Sequence, residues 1–308
     1  MPLMVSVVNS IREREGPLTP IVVNFEDQTN NDWNSVFRRV HGLIPGADAS
    51  FMDAKDPLVF ALAAGTTFYQ PCFPPGTIDL GFSATAMHWL SDSPCKIPDA
   101  LHSACSNDEA TLAAFDKQSA KDWAQIMGAR ATELKEGGQF VVVNIAKDVD
   151  GQFLGTSKRM KESMHHCFAK IWKEMVTPEE FQNTNFPNQY RSLQANLAPF
   201  KSNAVPLDVV EGLTAVVPCP FYDSFNQRRE GYEFLDDPKG HAKNFVPTTR
   251  TWSNSTFIAG LSNSRSEEEK EAMVDEMFQR YEDMVAAAPV DHAMDYVHAY
   301  VHLEKPQK

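Results

Sequence analysis

Cysteine is scarce in this chain: 308 residues carry five, scattered as Cys72, Cys95, Cys105, Cys167 and Cys219. An odd number at wide spacing, with no Cys-x-x-Cys, excludes a disulfide framework and fits a reducing compartment, so a cytoplasmic location is expected. Positive charge is also short. Lys and Arg number 28 against 41 Asp and Glu, a formal net charge of −13. Phosphate backbones are bound through Lys and Arg, so nucleic acid is not an expected partner. The small cluster Lys158, Arg159 and Lys161, next to Glu162, reads as a solvated helix face. No apolar run reaches the ~18 residues of a membrane span, so no membrane partner is expected. MPLMVSVVNSIREREG has neither the basic leader nor the apolar core of a signal peptide. There is no Gly-x-Gly-x-x-Gly, no P-loop and no Gly-x-Ser-x-Gly, so phosphates have no obvious cradle and a serine hydrolase lacks its nucleophile turn. A metal site is not expected either. The neighbours His165 and His166 do not share a helix face, and His298 and His302 have no nearby cysteine.

The remaining composition, 43% hydrophobic and 22% charged, is that of an ordinary globular protein. Leu3, Val7, Val8 and Ile11 predict an amphipathic helix over 3–13, ended by Pro17 and Pro20. IVVNF (21–25) is of strand length. Asn30 can cap a following helix whose Trp33, Val36, Phe37 and Val40 fall at helical spacing. Residues 58–64 (LVFALAA) are a strand or a buried helix, and Ile78–Phe82 a strand. Residues 109–135 carry a long apolar stripe, stopped by Gly137-Gly138. FVVVNIA (140–146) then reads as a strand buried on both faces. Strand, helix, strand in this order spells α/β. Further on, a helix is predicted over 160–176, irregular structure over 177–205 and a strand over 213–217. A helix over 266–287 opens on the capping box Ser266/Glu269. Alternation over 297–303 predicts a half-exposed antiparallel strand at a sheet edge.

Two features carry chemistry. Asp27 follows an apolar strand. A carboxylate there either accepts the hydroxyls of a ribose or is a plain acidic turn residue. Residues 65–94 (GTTFYQPCFPPGTIDLGFSATAMHWLSDSP) join an aromatic pair, a Pro-rich bend, a short strand and small hydroxyl residues to His88-Trp89. Such a Trp is either core or part of a ligand wall at a carboxyl-terminal strand edge.

Four segments in order resemble one family: VVNFEDQTNNDWNSVF, TTFYQPCFPPGTIDLGFSATAMHWLSDSP, AAFDKQSAKDWAQIMGARATELKEGGQFVVV, and TRTWSNSTF with MFQRYEDMV. They are similar to the plant-type salicylate/benzoate/jasmonate carboxyl methyltransferases, the SABATH family. The resemblance implies a Rossmann-like methyltransferase fold of α/β class with a mainly helical substrate-capping region. Residues 1–150 would form the S-adenosylmethionine (SAM)-binding part. Residues 151–308 would form a helical cap interleaved with the last sheet strands, all in a single integrated domain. The implied activity is SAM-dependent methyl transfer to a small carboxylic acid, with a homodimer as the implied assembly. Asp27 and Gln28 would contact the ribose, Thr67 and Phe68 the adenine, and Ser83 and Thr85 the methionine end. His88 and Trp89 would hold the substrate carboxylate. Met164, His165, Thr249 and Trp252 would line the rest of the acceptor pocket. Two positions depart from the family: His165 stands where Trp is frequent, and Thr85 where Tyr is usual.

The resemblance also places a substrate-clamping segment, a first strand and an Asp-x-Gly-rich loop ahead of the part matched here. On that reading the sheet lacks its central strand. Its neighbours would span two inter-strand spacings, about 9–10 Å, or pair anew. Losing about three hydrogen bonds at ~1 kcal/mol each would weaken cofactor binding roughly a hundredfold. The alternative expectation is a non-catalytic, methyltransferase-like binding or interaction module.

Overall fold

The computed structural model describes residues 2–45, 50–52, 58–160, 162–229 and 237–307, which fall into two units, Met1–Thr77 and Ile78–Lys308. In the first, α1 (Pro2–Glu15) leads to β1 (Ile21–Asp27), α2 (Trp33–Val40) and β2 (Val59–Gly65). The segment at 58–64, open between strand and helix by periodicity, is thus a strand. It pairs parallel to β1 from Ile21↔Val59 to Asp27↔Gly65. Val8, Ile21, Val23, Val40, Phe51 and Val59 form the unit's core. The buried side of α1 is Met4, Val5, Val8 and Ile11, whereas Leu3 is exposed. The cap of α2 is Asp32, whose carboxylate accepts the Ser35 N–H at 3.0 Å, not Asn30.

The second unit holds β3 (Ile78–Ala84), α3 (Glu109–Glu133), β4 (Leu134–Lys147), α4 (Met164–Met175), α5 (Pro178–Asn183), β5 (Arg191–Ser192), α6 (Leu193–Lys201), β6 (Asp208–Val217), α7 (Pro220–Arg229), α8 (Pro238–Gly260), α9 (Glu267–Ala287) and β7 (Tyr296–Glu304). Its sheet order is β3-β4-β7-β6, with β5 beside β4. β3 and β5 run parallel to β4, and β7 antiparallel to both β4 and β6. Phe168 of α4, Phe257 of α8 and Phe278 and Tyr281 of α9 meet edge to face in the helical core, with centroids 5.0–6.1 Å apart. The Ser266/Glu269 capping box opens α9 as predicted.

Several expectations are corrected. α3 ends at Glu133, before Gly137-Gly138. The glycines lie within β4, where the register slips between Ile78↔Leu134 and Leu80↔Gln139. α4 starts only at Met164. The region 177–205 is not irregular: it folds into α5, β5 and α6. β7 is antiparallel but interior, and β6 is the edge. Alternation along β7 reports one buried face, not the number of strands beside it.

Candidate active site

The stretch 65–94 is divided between the units. In the first, Asp27 ends β1 and Gly65 ends the neighbouring parallel β2, so Asp27, Gln28, Thr67 and Phe68 gather at the carboxyl ends of two adjacent strands. The Asp27 carboxylate accepts the Gln28 N–H at 2.7 Å, and its carbonyl oxygen accepts the Thr66 N–H at 2.9 Å. A turn from Thr67 to Gln70 follows, carrying the rings of Phe68 and Tyr69 with centroids 4.6 Å apart. An exposed carboxylate and an aromatic pair are the groups that a nucleoside asks for: an acceptor for the ribose diol and a face for the base.

In the second unit, Ser83 lies on β3 opposite Val142. Thr85 leaves the strand with φ of +53°, a left-handed conformation unusual for a β-branched residue. Its N–H still donates to Val143 O at 2.7 Å, so the ladder holds the strand end while the chain turns. The segment after it is pinned throughout. Arg191 donates to Met87 O, Gln189 N to His88 O at 2.9 Å, and Leu90 N to Pro187 O at 2.7 Å. Ser91 donates from both N and Oγ to the Asp122 carboxylate, at 2.8 and 2.7 Å. His88 and Trp89 are therefore held from α3 and from residues 187–191. Such multiply held geometry is where backbone strain at a site persists.

Tyr190 gathers the acceptor candidates. Its ring lies 5.9 Å from His88 and 6.1 Å from His165, and its hydroxyl is 2.9 Å from His165 Nε2. His165 meets Trp252 edge to face at 5.8 Å, and His88 lies 6.1 Å from Trp89. α4 buries His165 while His166 turns back, its Nδ1 accepting the Ser163 N–H at 3.1 Å. Met164 is buried in the same core. Thr249 is fully buried, with its hydroxyl donating to Val246 O at 2.7 Å.

Burial drives His88 to a pKa of about 3, helped by the charge of Arg191. It drives His102 to about 3 despite its bond to Asn188. His165 falls well below the usual imidazole value for the same reason, and the Tyr190 phenol is pushed up. All three imidazoles are neutral at pH 7. The four indoles of the second unit divide into two pairs. The buried Trp123 and Trp172 donate to Asn196 O at 2.8 Å and Thr184 Oγ1 at 2.9 Å. The half-buried Trp89 and Trp252 donate to nothing among the described residues.

Tyr190, His102, Asn188 and Asp122 were not anticipated. Asn188 to Arg191 are all buried, yet they sit in a Pro- and Asn-rich run without periodicity. The one available signal was Tyr-Arg placed directly before the cap residue Ser192.

A family model for SAM dependent carboxyl methyltransferases matches residues 3–306. The chain belongs to that carboxyl methyltransferase family. Indole-3-acetate O-methyltransferase 1 of Arabidopsis thaliana is 31% identical over 133 residues, 40% of this chain and 34% of that protein. A benzoic acid/salicylic acid carboxyl methyltransferase of Petunia hybrida is 24% identical over 58% of the chain and 50% of its own length. These two matches thus span half or less of each relative. A solved loganic acid methyltransferase with SAH superposes with a TM-score of 0.73 at 18% identity, over 99% of this chain and 80% of that one. That likeness shows the Rossmann-like fold of this carboxyl methyltransferase family member, and the family's cofactor is SAM.

Proposed function

We propose that the chain transfers a methyl group from SAM to the carboxylate of a small-molecule acid. The observation that carries this reading is the pair of indole N–H groups, Trp89 and Trp252, that have no partner among the described residues and are set beside buried neutral imidazoles. A carboxylate asks for donors, and neutral ones fix it without the strong ground-state stabilisation that a cation would add. The names of the relatives, which specify indole-3-acetate and benzoic or salicylic acid, support an acid as acceptor.

When bound, SAM supplies an electrophilic methyl group. Asp27 and Gln28 would hold its ribose, Thr67 and Phe68 its adenine, and Ser83 and Thr85 its methionine end. His88 and Trp89 would orient the acceptor carboxylate, while Met164, His165, Thr249 and Trp252 enclose the acid's body. No general base is required, because a carboxylate of pKa ~4 is already ionised. The work of the residues is to orient the acid and exclude water. A homodimer, a cytoplasmic location and a place in small-molecule metabolism complete the proposal. The five free cysteines support the location.

The test is calorimetric titration of benzoate and benzyl alcohol into the protein with S-adenosylhomocysteine present. Benzoate binds in preference to the alcohol, and Trp89→Phe weakens it about tenfold, the worth of one hydrogen bond to a charged group. Equal binding of acid and alcohol would overturn the reading.

A further inference from the structure

Trp33 belongs by spacing to the apolar stripe of α2, but the structure sets it apart from that stripe. Val36 and Val40 reach the core of the first unit, whereas Trp33 lies outside that core and is half-buried. Its ring lies over Gly65: the indole Nε1 is 3.6 Å, and Cζ2 3.8 Å, from the point where a Cβ would stand on that glycine. Gly65 is the ladder partner of Asp27, so a Cβ there and the Asp27 side chain leave the sheet on the same face. The indole thus stands on the Asp27 side of the two strand ends, where the Thr29 hydroxyl donates to Gly65 O at 3.3 Å. The turn between β1 and α2 fixes this position. Asn31 N donates to Gln28 O at 3.0 Å and Trp33 N to Asn31 O at 2.8 Å, while the Asp32 cap accepts from Ser35 N and Oγ.

Two polar groups at this corner are left over. The Trp33 indole N–H donates to nothing among the described residues. Asp27 uses one carboxylate oxygen for the Gln28 N–H, and its Oδ2 accepts from nothing among them. An open donor and an open acceptor therefore share one side of two adjacent strand ends. A hydroxyl satisfies both, since its hydrogen donates while its oxygen accepts. An anion would be repelled by the carboxylate, and an ammonium has no acceptor for the indole.

We infer, building on the ribose contact proposed above for Asp27, that the Trp33 indole N–H donates to the ribose hydroxyl whose own proton goes to Asp27. Trp33 is then a cofactor-binding residue, and the pair selects a ribonucleoside over its deoxy analogue. With the hydroxyl gone, donor and acceptor both lose their partner. Phenylalanine keeps a ring over Gly65 and loses the N–H.

The test uses the full chain with S-adenosylhomocysteine and its 2′-deoxy and 3′-deoxy forms. In proton–nitrogen NMR of the wild type, the Trp33 indole resonance should move on saturation with S-adenosylhomocysteine and stay in place with one of the two deoxy forms. That resonance is assigned through its backbone amide, so the spectra need only the wild-type protein, whatever the fate of a variant. In calorimetry Trp33→Phe should bind S-adenosylhomocysteine about fivefold more weakly than wild type, the worth of one neutral hydrogen bond. Removing the hydroxyl should cost the wild type about fivefold more in affinity than it costs Trp33→Phe. An indole that ignores the ligand, one that moves equally with all three, or equal hydroxyl costs in the two proteins overturns the inference and leaves cofactor binding standing. No binding of S-adenosylhomocysteine at millimolar concentration overturns the cofactor reading, and this inference with it.

Discussion

Three imidazoles buried neutral make the second unit acid-sensitive well above the range where carboxylates titrate. His88 and His102 have folded pKa values of about 3 and His165 is likewise depressed, against about 6.5 in the unfolded chain. Between those values the unfolded state binds more protons than the folded one, so stability rises with pH. The contribution is fully present above about pH 6.5 and is lost progressively as pH falls toward 3. From pH 7.5 to 5.5 each histidine withdraws between about 1 and 2 kcal/mol, and the three together about 4 kcal/mol. That is a large share of the 5–15 kcal/mol typical of a domain. At about 2–4 °C per kcal/mol for a unit of this size, Tm should fall by roughly 8–16 °C. The net charge of −13 shrinks over the same interval, so relief of self-repulsion pushes the other way. A fall therefore identifies the buried imidazoles as dominant. Differential scanning fluorimetry or circular dichroism at pH 7.5, 6.5 and 5.5 is the assay. A Tm that is flat or rising toward pH 5.5 would refute the claim that these histidines are buried and neutral.

Other consequences follow from single residues. A Cβ added at Gly260 would lie 2.0 Å from Thr184 Oγ1 and 2.8 Å from its Cα, and that hydroxyl also receives the Trp172 indole N–H. Gly260→Ala should cost about 1–3 kcal/mol, read as a lowered denaturant midpoint at unchanged slope. Asp122→Ala removes the acceptor for both Ser91 groups and should cost about 1–3 kcal/mol; because it releases the end of the His88–Ser91 segment, KM for the acid should rise more than kcat falls. Arg265→Ala leaves the buried carboxylate of Glu180, now held near pKa 2 chiefly by that guanidinium, without its cation. The stability it contributes, present above about pH 4.5 and lost as pH falls toward 2, should shrink, with a smaller acid-induced loss between pH 4.5 and 3 than in wild type.

What could be read from the chain alone follows the physics of each element. β7 alternates strictly, so its buried face of Val297, Ala299, Val301 and Leu303 was legible, but ladder neighbours leave no mark on a single strand's pattern. The end of α3 was misplaced because Gly-Gly signals a break without saying whether it caps a helix or bulges a strand. α5 and α6 are too short to show periodicity. Asp27, His88 and Trp89 were legible as candidates from their places after apolar strands, and His165 only through the family resemblance, whereas Tyr190 and His102 were not. Their role arises from long-range pairing, His102 with Asn188 and Tyr190 with His165, which no local pattern encodes.

The central claim, methyl transfer to a carboxylate, is tested most directly by incubating the protein with millimolar methyl-labelled SAM and parallel panels of carboxylic acids, phenols and amines, then treating the products with base. The account predicts label in the acid panel alone, released as methanol, as a methyl ester requires. Label on phenols or amines with none on acids would contradict it, and binding of acid and cofactor without transfer would favour a non-catalytic binding module instead.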